Sequence, residues 1–92
     1  SKYVASVQAQ VDILTAQGID VILLLSHCGT DVDIRNVPRL RGVDVVIAGH
    51  DHALFGDPER IRAEGLPFQA TRVIKPYPVR VSDRDGNPVL VV

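Results

Sequence analysis

Val4, Val7, Val11 and Leu14 recur at i, i+3, i+7 and i+10, which lines them up along one stripe of a helix over residues 3–17 that Gly18 is placed to end. The pattern then changes. Residues 21–25, Val-Ile-Leu-Leu-Leu, form an unbroken apolar run, as expected of a strand covered on both faces in a parallel sheet. Residues 31–41 are polar, with Ile34, Val37 and Leu40 at helical spacing and Pro38 shortening or breaking the helix. A second apolar run, residues 43–48, follows Gly42. Strand, helical crossover and strand make a βαβ unit, in which the two strands are parallel.

Beyond that unit, Asp57-Pro58-Glu59 has the form of a helix start, with an N-cap, a first-position proline and an acidic first turn, and Gly65 is the stop. Residues 69–74 and 79–82 are expected as strands. Residues 83–88 hold an Asp85-Gly86 step that predicts a hairpin turn into a strand over residues 89–92. The fold class is therefore α/β, a βαβ unit followed by a β-hairpin region, and the 92 residues read as one domain or part of one. A start at Ser1-Lys2-Tyr3 and an end on Val91-Val92 read as cut from a longer chain.

Composition narrows the function. A formal net charge of -1, spread without long runs of one sign, offers no basic surface for a nucleic-acid polymer. Both apolar runs are far shorter than the roughly 20 residues of a membrane-spanning helix. Cys28 is the only cysteine, which excludes an internal disulfide and a cysteine-based zinc cluster.

Candidate chemistry lies in the histidines. All three, His27, His50 and His52, come directly after the two buried-type strands. Parallel strands joined by one crossover end at the same sheet edge, about 4.8 Å apart where they are neighbours, and open α/β sheets bind ligands there. Neutral imidazole is a common ligand of zinc, manganese and iron, and a Gly-His-x-His turn can aim two rings at adjacent metal positions. Asp51 is read either as a partner of a ligand histidine or as a solvated side chain. Arg35, Arg39, Arg41, Arg60 and Arg62 are read as solvated, and Cys28 as a small filler.

The residues Ser26-His27-Cys28-Gly29 and Gly42-Val43-Asp44-Val45-Val46-Ile47-Ala48-Gly49-His50-Asp51-His52 resemble the last two metal motifs of the calcineurin-like metallophosphoesterases, in the form typical of the 5'-nucleotidase branch. Pro76-Tyr77-Pro78-Val79 and residues 85–92 are similar to that branch too. The resemblance implies a partial metallophosphoesterase sandwich, with residues 1–92 the C-terminal part of its catalytic domain. It implies two divalent metal ions (manganese, zinc or iron), with His27 and His50 on one and His52 on the other. The implied reaction is hydrolysis of a nucleotide phosphoester. Cyclic nucleotides, sugar nucleotides and sulfur esters are sibling substrates, and a noncatalytic module holding one zinc is the alternative class.

The family's Asp-x-His, Gly-Asp-x-x-Asp and Gly-Asn-His motifs have no counterpart in these residues. The chain alone is thus expected to be inactive, and to be ordered through the remainder of a parent chain or a second copy. The resemblance does not fix localisation, although the branch is often periplasmic or extracellular.

Overall fold

The structure, a computed structural model, describes residues 1–51, 56–65 and 77–92. Helix α1 spans Lys2–Ala16. The Ser1 hydroxyl accepts the Val4 N–H at 3.3 Å, satisfying one of the free donors of the first turn. Strand β1 is Leu23–Leu25, α2 is Thr30–Asn36, and a 3-10 turn over Val37–Arg39 carries Pro38 where the α-helix can no longer continue. Strand β2 is Val45–Ile47, and α3 is Pro58–Ala63, with the Asp57 carboxylate accepting the Glu59 N–H at 3.0 Å. Strands β3, Val79–Ser82, and β4, Pro88–Val91, form the hairpin. The strand expected over residues 69–74 lies outside the described residues.

The sheet runs β1-β2-β4-β3. β1 and β2 are adjacent and parallel, with Leu23, Leu24 and Leu25 opposite Val45, Val46 and Ile47. The hairpin does more than follow the βαβ unit. β4 pairs parallel with β2 and antiparallel with β3, so the chain's last strand completes the centre of the sheet.

Among the described residues, one face of that sheet is covered. Val46, Val89 and Val91 are buried under Val4 and Val11 of α1, Val37 of the 3-10 turn and Leu40 after it. On the other face Leu23 is 58% exposed, Leu25 80% and Ile47 39%. The run is apolar on both sides, and within the described residues the face that carries Leu23, Leu25 and Ile47 stays open. Among the described residues, no helix is long and apolar enough to cross a membrane.

Candidate metal centre

Parallel pairing brings the ends of β1 and β2 together, and Ser26 extends the pairing by donating its N–H to the Ile47 carbonyl at 2.9 Å. His27 and His50 leave the sheet one step and three steps beyond that bond. Their ring centroids lie 5.3 Å apart at 78°, an edge-to-face approach, and both residues are exposed. Gly49 permits the approach, since a Cβ there would stand 3.1 Å from His27 Nδ1.

The turn after β1 is held from below. The Ser26 hydroxyl donates to Asp33 Oδ1 at 2.6 Å and accepts the Cys28 N–H at 3.3 Å, while the Asp33 N–H reaches the Gly29 carbonyl at 3.0 Å. The His27 backbone is thereby bracketed by bonds from α2. The Tyr3 phenol of α1 reaches the same turn. Burial raises its pKa above the ordinary tyrosine value, and a hydrogen bond with Ser26 opposes that rise.

Asp33 is 2% exposed, and its Oδ2 has no hydrogen-bond partner among the described residues. Burial pushes its pKa upward, the Ser26 hydroxyl opposes the shift, and the Asp51 charge adds to it. Below the ordinary value of 3.8 the carboxyl is protonated whether folded or unfolded. As pH rises past that value the unfolded chain releases the proton first, so the folded state loses stability until its own, higher pKa is passed. Urea midpoints at fixed protein concentration should fall as pH rises above 3.8, and Asp33→Asn should flatten that fall. Parallel pH profiles for the two proteins would clear Asp33 of the effect.

The turn after β2 is held from the side. His50 has φ of 83°, in the left-handed region that costs a residue with a side chain about 1–2 kcal/mol. Directly after it, Asp51 Oδ2 accepts the Thr30 N–H at 2.6 Å. Neither reading of Asp51 from sequence anticipated this bond, which joins the two histidine turns. The reading of Cys28 as a filler also needs amending, because its side chain is exposed. Arg35, Arg39, Arg41, Arg60 and Arg62 are exposed as expected, with Arg41 3.4 Å from Asp85 and Arg60 3.0 Å from Glu64.

Of the three histidines the structure brings His27 and His50 together, and His52 lies outside the described residues. Among those residues no cluster of three metal-ligating side chains forms. The pair present does fit a metal in its chemistry. Two solvent-facing imidazoles at this separation can each direct a nitrogen to a single ion at bond lengths of about 2.0–2.1 Å.

No family model matches the chain. It is 35% identical over 89 residues to the NAD 5'-nucleotidase of Haemophilus influenzae and 32% identical over 89 residues to human 5'-nucleotidase, covering 97% of this chain and 14% of each relative. The crystal structure of a 5'-nucleotidase precursor from Thermus thermophilus superposes with a TM-score of 0.80 at 36% identity, over 97% of this chain and 16% of that one. The structure of the Haemophilus influenzae NAD nucleotidase gives 0.81 at 32% identity, with the same coverage. The chain thus spans about one seventh of the length of the curated relatives it matches, and in sequence and fold it belongs to the 5'-nucleotidases of the metallophosphoesterase fold as a segment of them.

Proposed function

We propose that these 92 residues are the C-terminal part of a metallophosphoesterase catalytic domain, and that they work within a longer 5'-nucleotidase by supplying His27, His50 and His52 as ligands of a two-metal centre. The observation that carries the reading is the 5.3 Å edge-to-face approach of His27 and His50 beyond two adjacent parallel strands. Two divalent ions, when bound, supply Lewis acidity toward a phosphoryl oxygen and toward the attacking water. The protein's own part is to hold its imidazoles in place. Pairing of β1 with β2 brings the two histidine turns to one sheet edge, the Ser26–Asp33 bond fixes the His27 backbone, and Gly49 leaves room for the His27 ring.

The substrate class is nucleotides, in keeping with the names of the relatives. Selection among nucleotides would belong to the remainder of the parent chain, which would also cover the open sheet face. A noncatalytic module with one structural zinc is disfavoured by the exposure of both rings, since structural zinc sites are closed by four protein ligands.

A graft tests the proposal. This chain, exchanged for the matching segment of the Haemophilus influenzae protein, should give a folded chimera that performs the reaction for which that protein is named when manganese or zinc is added. His50→Ala in the chimera should lower kcat/KM by more than about a hundredfold, beyond the usual loss for an outer-shell partner. A folded, active chimera indifferent to His50→Ala would remove the ligand assignment.

A further inference from the structure

The two histidine turns are tied together twice. The Ser26 N–H bonds to the Ile47 carbonyl at 2.9 Å before the histidines, and the Thr30 N–H bonds to Asp51 Oδ2 at 2.6 Å after them. Residues 26–30 and 47–51 therefore form a closed ring of backbone and hydrogen bonds, with His27 on one side and His50 on the other. The first tie is ordinary strand pairing. The second lies beyond the end of the sheet and depends on one side chain.

We infer that Asp51 is a positioning residue, whose hydrogen bond from the Thr30 amide holds the His50 turn against the His27 turn and so sets the spacing of the two imidazoles. This inference rests on the metal-ligand reading for its purpose, though not for its geometry. Three further features agree with it. His50 sits at φ of 83°, a conformation that persists only where the surroundings fix it, and the fixing bond comes from the next residue. Gly29, at φ of 103°, is the residue before the Thr30 amide, and a Cβ on it would lie 3.0 Å from Asp51 Oδ1. Both turns thus carry backbone conformations that make the contact possible. Thr30, finally, is the first residue of α2, whose amide has no acceptor within its own helix.

The bond can be removed from either end. Asp51→Ala deletes the acceptor, and Asp51→Asn keeps an oxygen that can accept the same N–H while removing the charge. Thr30→Pro deletes the donor at the first helical position, where proline is tolerated. In the metal-free 92-residue chain, proton NMR should show ring-to-ring Overhauser contacts between His27 and His50, lost in Asp51→Ala and in Thr30→Pro and kept in Asp51→Asn. Calorimetric titration with zinc alone should show affinity reduced about 10- to 100-fold in the first two variants, and close to wild type in Asp51→Asn. The double variant Asp51→Ala/Thr30→Pro should lose no more of the ring contacts than Asp51→Ala alone, because the Thr30–Asp51 bond is already absent there.

Unchanged ring contacts in Asp51→Ala overturn the inference, as does an Asp51→Asn protein that behaves like Asp51→Ala, since charge rather than the hydrogen bond would then matter. His50→Ala separates this failure from that of the metal reading. If zinc affinity ignores His50→Ala, the ligand assignment falls, while the ring contacts still decide whether Asp51 holds the turns.

Discussion

The isolated chain, supplied with manganese or zinc, should hydrolyse a nucleoside monophosphate no faster than buffer does. The physical reason is a shortage of ligands rather than a defect in those present. A two-metal phosphoesterase clamps both the attacking and the leaving oxygen between ions roughly 3.5–4 Å apart, which requires enough donors for both ions and a group that bridges them. Among the described residues, two imidazoles meet and no third metal-ligating side chain joins them. His52 adds at most one donor more. The Asp-x-His, Gly-Asp-x-x-Asp and Gly-Asn-His sequences that the family uses for the other ligands occur nowhere in the 92 residues. Asp33 is no substitute, because its carboxylate is buried beneath the turn and bonded to Ser26. A phosphate-release assay over a range of metal concentrations measures the outcome. Turnover that rises with metal and vanishes in His50→Ala would show that the chain builds a complete centre from residues assigned here to other roles.

The features legible in the sequence share a property: each is written in contiguous residues. The βαβ unit follows from two apolar runs flanking a polar one, and the hairpin from an Asp-Gly step, and both stand in the structure. The meeting of His27 with His50 followed from that topology without knowledge of any side-chain contact. What escaped was held between distant positions. Pairing of β4 with β2 joins residues more than forty positions apart, and no periodicity in either strand names its partner. Asp33 reads as one polar residue among several on a short helix, yet packing buries it and turns it toward Ser26. Asp51 looked like a partner for a histidine or for water because its neighbours in sequence are histidines. Contiguous sequence gave no sign that it also takes up an amide 21 positions earlier.

The exposure of β1 has a different physical basis. An apolar strand records the environment in which it evolved, whereas exposure records only the residues at hand. On the open face Leu23 stands beside Val45 and Leu25 beside Ile47, with Val45 beside Leu90 on the next strand. These side chains make a continuous apolar surface, and the outer edge of β1 lies next to it at the end of the sheet. Fully burying one leucine contributes about 1.5–3 kcal/mol, so covering Leu23 and Leu25 yields several kcal/mol, a large fraction of the stability of a small domain. In the absence of a parent chain the available cover is a second copy, through stacking of open faces or pairing of β1 edges. Size-exclusion chromatography with light scattering at micromolar concentration should therefore give a mass of at least twice 10.0 kDa. Leu23→Lys combined with Leu25→Lys places charges on the open face without touching the core, and it should shift the chain toward the monomer mass. A wild-type monomer that unfolds cooperatively at that concentration would establish the 92 residues as a self-sufficient domain, and the open face as a surface that needs no cover.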